Sequence, residues 1–173
     1  MGLIGFIDDY LKVVKKLSLG LIARYKLVGQ IFLGCIVSYW IFQIPDYIDI
    51  STKTTVPFFK NVELDLGFLY PIMVILVITG TSNAVNLTDG LDGLLAGLLA
   101  ISFSVFSAIT YITGRFDFSD YLNILYIPNA GELTIFTSAM AGACIGYLWF
   151  NSHPAEVFMG DTGSLSTGAA LGT

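Results

Sequence analysis

Apolar residues fall into four long blocks. Residues 27–45, 66–88, 93–114 and 133–155 carry no charged side chain over 19, 23, 22 and 23 positions. At a rise of about 1.5 Å per residue, helices of that length match a hydrocarbon core about 30 Å thick. The blocks predict four full transmembrane helices, at about 27–45, 66–85, 93–114 and 133–152. Residues 1–7 are apolar and read as the last turns of an earlier helix. Residues 162–173 are small and apolar and read as the first turns of a later one. The expectation is one all-α domain, a polytopic membrane helix bundle with partial helices at both ends, cut from the centre of a larger protein.

Polar connections separate the blocks. Segment 46–65 holds Pro57 and the alternating runs 54–59 and 62–65, which predict a small hairpin. Segment 86–92 is a tight turn, and 115–132 is acidic and aromatic. Successive spans alternate in direction, so 8–26, 86–92 and 153–164 share one side of the membrane. Segments 46–65 and 115–132 share the other. Lys12, Lys15, Lys16, Arg24 and Lys26 lie on the first side, against Lys53, Lys60 and Arg115 on the second. The excess of basic residues places the first side in the cytoplasm. Gly93 with Gly97, and Gly142 with Gly146, predict close helix approaches.

Composition agrees. The chain is 55% apolar and 12% charged, with mean hydropathy +0.77, whereas soluble domains are about 25% charged. Disorder is excluded. A net charge of −5 speaks against a nucleic-acid partner. Cys35 and Cys144 lie in separate apolar blocks, which excludes a disulfide framework and predicts two small buried hydrophobes. Residues 1–7 are too short for a signal peptide and run into Asp8 and Asp9.

The predicted cytoplasmic side collects Asp8, Asp9, Asp89, Asp92, Glu156 and Asp161. Carboxylates at the ends of membrane spans commonly line a cavity; solvated helix ends are the plainer reading. At about 100° per residue, Asp8, Asp9, Lys12, Lys15 and Lys16 fall within one helical arc. Adjacent carboxylates call for a cation, supplied by Lys12 or a divalent metal. The plain alternative is a juxtamembrane helix against anionic lipid. Asn83, Asn86, Asp89 and Asp92 bring two amides and two carboxylates to a single turn, where Thr88 or Asp89 can cap the third span. The spacing is not that of an EF-hand. In 151–164, Gly160 and Gly163 bracket Asp161, so backbone N–H groups there can meet a phosphate. No Walker lysine and no dinucleotide-binding glycine pattern is present. His153, the sole histidine, reads as a polar helix end.

Three motifs carry a resemblance: Gly5-Phe-Ile-Asp-Asp-Tyr-Leu-Lys12, Asn83-Ala-Val-Asn-Leu-Thr-Asp-Gly-Leu-Asp-Gly93 and Pro154-Ala-Glu-Val-Phe-Met-Gly-Asp-Thr-Gly-Ser164. In that order they resemble the polyprenyl-phosphate N-acetylhexosamine-1-phosphate transferases, over essentially the whole chain. The resemblance implies transfer of a phospho-sugar from a UDP-sugar donor to undecaprenyl phosphate, with release of UMP. It implies a homodimer in the bacterial inner membrane, with a cytoplasmic active site and Mg²⁺ as cofactor. The motif wording is nearest to members that pass phospho-N-acetylmuramoyl-pentapeptide to the lipid and make lipid I. Members that transfer N-acetylglucosamine-1-phosphate are the alternative.

Carried onto this sequence, the resemblance implies Asp8, Asp9 and Asp161 as catalytic residues, with Asp161 the magnesium ligand. It implies Lys12, Lys16, Asn83, Asn86, Asp89, Asp92, Asn151 and Phe158 as substrate-binding residues, with Phe158 stacking on uracil. The family has about ten transmembrane helices, an active-site lysine on an earlier helix and a later histidine cluster that His153 does not match. The expectation is therefore that these 173 residues are inactive alone. Two readings compete from other classes: a cation-binding transport subunit, and a non-catalytic membrane fragment.

Overall fold

The computed structural model describes residues 1–17, 20–43, 52–56 and 63–173. The helices are α1 (Gly2–Val13), α2 (Ala23–Gln43), α3 (Tyr70–Thr88), α4 (Leu94–Thr113), α5 (Phe116–Leu122), α6 (Ala130–Asn151) and α7 (Gly160–Gly172). A 3₁₀ turn, Gly67–Leu69, leads into α3. Strands β1 (Lys53–Thr55) and β2 (Glu63–Asp65) pair antiparallel, with Lys53 opposite Asp65. The predicted hairpin is present in those strands; its middle, 57–62, lies outside the described residues, as do positions 44–45 of the first predicted span.

Segments Gly67–Thr88, Leu94–Thr113 and Ala130–Asn151 are long and apolar enough to cross a membrane. The expected all-α, polytopic bundle is present. Exposed apolar side chains such as Leu98, Ile101 and Val105 on α4, or Ile135, Ile145 and Trp149 on α6, suit a lipid-facing surface.

Helix ends depart from the sequence reading for local reasons. Helix α6 starts at Ala130 rather than 133, because Asn129 adopts φ 63° and Glu132 sits in the first turn. An acid there faces the positive end of the helix dipole. Helix α3 runs on to Thr88, and Asp89 closes it. Thr88 and Asp89 therefore terminate α3 and do not cap the next helix, whose N-cap is Gly93 at φ 74°.

Helix α4 packs along α6, and α7 lies between α1 and α3, with α2 on the flank of α3. Val85, Leu95, Leu99, Ala100, Phe103, Ala141 and Cys144 form the core, closed by Met140, Met159, Ala170 and Leu171. Cys144 is buried as expected, whereas Cys35 is exposed on α2. Lipid-facing helices associate through backbone approach at small residues. Of the predicted glycine pairs Gly93 alone is in contact, a Cβ there lying 3.4 Å from Leu148 and 3.6 Å from the Ser152 Cα, whereas one at Gly97, Gly142 or Gly146 would meet nothing within 4 Å. Close crossings lie on α1 and α7, at Gly34 between α2 and α3, and where the end of α4 meets the start of α6, with a Cβ at Gly114 only 2.7 Å from the Gly131 Cα. A Cβ at Gly5 would run into the Asp161 carbonyl, and one at Gly168 would sit 2.7 Å from the Ser82 Cα. The Ser82 hydroxyl completes the α3–α7 contact by donating to the Leu165 carbonyl at 2.8 Å.

Candidate active site

The α1–α7 crossing at Gly5 brings the first and third motifs together. One turn beyond Gly5, Asp8 and Asp9 face the start of α7. Asp9 acts as a cap supplied by another helix. Its carboxylate accepts the N–H of Asp161 at 3.2 Å, the N–H of Thr162 at 2.8 Å and the Thr162 hydroxyl at 2.6 Å. Gly160 permits the approach: its φ is +66°, and a Cβ would lie 3.1 Å from Asp9 Oδ2. The N–H groups of Asp161 and Thr162, expected to meet a phosphate, are thus engaged by Asp9. Gly163 lies inside α7 and not at a turn.

Asp161 is the hub. Its Oδ2 accepts Lys12 Nζ at 2.9 Å and Lys26 Nζ at 2.8 Å, and its Oδ1 accepts Asn86 Nδ2 at 2.7 Å. Asn86 also donates to the Ser164 hydroxyl at 2.8 Å. Burial by itself pushes the Asp161 carboxyl up, but the Lys26 ammonium, the Asn86 amide and the Lys12 ammonium carry it well below the usual carboxylate range. Asp8 is 1% exposed and pairs with Lys12. Its Oδ1 accepts the Leu21 N–H at 2.7 Å. Lys26 lies 3.8 Å from Asp8 Oδ2. The Lys12 ammonium is pushed up, first by its hydrogen bond to Asp8 and then by Asp161, against desolvation.

Three carboxylates thus face two ammonium groups. One ligand oxygen from each of Asp8, Asp9 and Asp161 lies within 4.8 Å of the others. Asp8 Oδ2 is buried against the Lys12 ammonium, with Lys26 beside it. An all-oxygen donor set of three converging carboxylates fits a hard divalent cation.

The second motif supplies one wall. Burial raises the Asp89 carboxyl; the Gly160 N–H lowers it and the Asp161 charge raises it further. Asn83 and Gln30 bond each other, and Asn83 also donates to the Thr79 carbonyl. Asn151, 2% exposed, accepts the Gly93 N–H at 3.1 Å and donates to the Val157 carbonyl at 2.8 Å. It ties the α3–α4 turn to the loop before α7. Asp92 makes a second tie, to His153 Nδ1 at 3.0 Å and to the Ala155 N–H at 3.2 Å. Those two contacts, the N–H first, hold its carboxyl below the usual range. Phe158 is 68% exposed on that loop.

Lys12, Asn86, Asp8, Asp9 and Asp161 therefore meet directly, with Asp89 beside them. Lys16 does not join them: α1 ends at Val13, and Lys16 is exposed at φ 54° in the following turn. The predicted continuous face through Lys15 and Lys16 ends with the helix. Sequence reasoning counted Lys26 only as a basic residue and passed over Gln30. An isolated glutamine within an apolar block was the available signal.

All 173 residues match the family described as glycosyl transferase family 4. Three similar curated proteins are each named phospho-N-acetylmuramoyl-pentapeptide-transferase. That of Chloroherpeton thalassium is 55% identical over 171 residues, 99% of this chain and 46% of its own length. That of Thermodesulfovibrio yellowstonii is 54% identical over 172 residues, 99% of this chain and 47% of its own. That of Chlorobium phaeobacteroides strain BS1 is 52% identical over 171 residues, 99% of this chain and 46% of its own. The chain spans about half the length of the curated relatives it matches. With every residue matched and all three motifs gathered at one site, the chain belongs to glycosyl transferase family 4.

Proposed function

We propose that this chain is part of an enzyme that transfers phospho-N-acetylmuramoyl-pentapeptide from its UDP-linked donor to undecaprenyl phosphate, giving lipid I and UMP. The observation that carries the reading is the meeting of Asp8, Asp9 and Asp161 with Lys12, Lys26 and Asn86 on the ends of apolar helices. Both reactants are anionic phosphates, one on a lipid and one on a nucleotide. A site for them needs cationic charge at the membrane boundary, and it needs carboxylates to organise that charge.

Asp161, with Asp8 and Asp9, would hold Mg²⁺, which supplies charge neutralisation at the diphosphate and at the leaving UMP. The chain's own groups do the rest. Asp9 fixes the N-terminus of α7 and so the place of Asp161. Lys12 and Lys26, paired with Asp161, are the ammonium groups available to phosphate oxygens. Asp8 is the carboxylate placed to orient or deprotonate the lipid phosphate. Asp89, Asp92, Asn151 and Phe158 lie along the turn and loop that would receive the nucleoside. Lys16 belongs to that pocket by resemblance alone. The four-span topology, the bacterial inner membrane, the cytoplasmic face of the site and a homodimer are further parts of this proposal.

The test offers two donors to the full-length parent protein with undecaprenyl phosphate and Mg²⁺. UDP-N-acetylmuramoyl-pentapeptide is expected to yield a lipid product and UMP. Use of UDP-N-acetylglucosamine instead would move the substrate assignment to the related transferases. Cation flux without UMP release would contradict a transferase.

A further inference from the structure

Helix α2 presents mostly apolar side chains, and many are exposed: Val28, Phe32, Tyr39 and Trp40 among them. Such a surface does little to define how far α2 slides along α3. Gln30 is different. It is 1% exposed and faces Asn83 across the two helices. Asn83 Nδ2 donates to Gln30 Oε1 at 2.7 Å, and Gln30 Nε2 donates to Asn83 Oδ1 at 3.3 Å. The second amide hydrogen of Asn83 reaches the Thr79 carbonyl at 2.8 Å. Amides in an apolar environment are costly unless bonded. A slip of α2 by one turn would put Lys26 or Gly34 opposite Asn83 and leave the amides unsatisfied.

The same register sets the site. Lys26 is four residues before Gln30, and Asn86 is three residues after Asn83, each about one turn away on the same face. Both donate to Asp161, at 2.8 and 2.7 Å. On the other side of the amide pair, a Cβ at Gly34 would lie 3.3 Å from the Ile75 Cα, so the backbones remain close.

We propose that Gln30 is a positioning residue. Its reciprocal amide bond with Asn83 locks the register of α2 on α3 and thereby delivers Lys26 and Asn86 together to Asp161. In this account Asn83 serves the lock and not a substrate. The kinetic readout below rests on the transferase reading; the cross-linking readout does not.

The experiment compares Gln30→Leu, Asn83→Leu, the double variant and the amide swap Gln30→Asn with Asn83→Gln, all in the full-length parent protein. Each leucine variant is expected to lower kcat about ten- to a hundred-fold, the scale of an ångström-sized misplacement. Donor KM should stay near the parent value, while thermal stability falls in the single variants, which leave one buried amide unpaired, and recovers in the double variant. The double variant should be no worse than either single, because the two amides act as one unit. The swap should restore most of kcat. Register is read separately through cysteines placed by Gly34→Cys and Ile75→Cys in a Cys35→Ala background. They should form a disulfide readily in the parent, poorly in Gln30→Leu, and readily again in the swap.

An unchanged cross-link in Gln30→Leu overturns the proposal, whether kcat is retained or falls in step with the folded fraction. Multiplicative losses in the double variant also overturn it. If the parent makes no lipid product, the transferase reading fails, and the cross-link alone decides the register lock.

Discussion

Asp9 and Asp161 both stand at the start of α7, yet their oxygens do different things. Asp161 gathers two lysines and an asparagine, whereas Asp9 accepts the backbone N–H groups of Asp161 and Thr162. Asparagine caps a helix about as well as aspartate does. Asp9→Ala should therefore lose about 1 kcal/mol of stability, and Asp9→Asn less, since its one carbonyl oxygen keeps the Thr162 contacts while its amide nitrogen cannot accept the Asp161 N–H. Thermal unfolding in detergent compares them, and equal losses would contradict the cap. Asp92 gives a pH dependence. Its carboxyl is held low by the Ala155 N–H and His153. The tie is at full strength above the ordinary aspartate value of about 3.9 and weakens as pH falls through the lower folded value. The protection of amides in 152–158, measured against the intrinsic exchange rate at each pH, should fall at the acid end and stay level from pH 5 to 7; a fall already at pH 6 would contradict it. Residue types and spacing exposed the acidic residues in the sequence. Their partners were not legible there: Asp161 meets Lys26 across 135 positions and Asn86 across 75. Local periodicity carries no information at such separations.

Between elements, the decisive contact is the crossing of α1 and α7. Gly5→Ala puts a methyl group into the Asp161 carbonyl, and the obstruction is backbone, not a flexible side chain. The helices must part, at a cost of about 1–3 kcal/mol, and Asp8 and Asp9 must move away from Asp161. Gly97→Ala is the control, since its Cβ meets nothing within 4 Å. Thermal unfolding of the two variants should separate clearly; similar melting temperatures would contradict the crossing. The apolar helices were the most legible elements, because the absence of charge over about 20 residues is a property of the local chain. Ends were less so: Glu132 broke the charge-free block, yet it sits inside α6, where the helix N-terminus welcomes it. The glycine pairs misled because spacing alone does not show which face of α4 or α6 meets another helix. Gly5, Gly168 and Ser82 make close contacts, and Gly172, four residues after Gly168, also meets α3, a spacing that the sequence reading passed over.

Across the molecule, the bundle lets chemistry from distant parts of the chain share one membrane boundary. The apolar lengths of α3, α4 and α6 separate the loops, and the α1–α7 and α3–α7 crossings bring the three motifs to one end. The resemblance carried by those motifs and the match over residues 1–173 agree on the family. What this arrangement does is tested in a protein of the relatives' full length, since they are about twice as long as this chain. The most direct measurement is transfer of radiolabelled phospho-N-acetylmuramoyl-pentapeptide to undecaprenyl phosphate by that protein, with Asp161→Asn alongside and Mg²⁺ present or chelated. Loss of the shared carboxylate should lower the rate by about a thousand-fold or more, as removal of a group that organises transition-state charge does. Chelation should abolish transfer. Lipid I formed by Asp161→Asn at a rate near that of the parent would contradict the account.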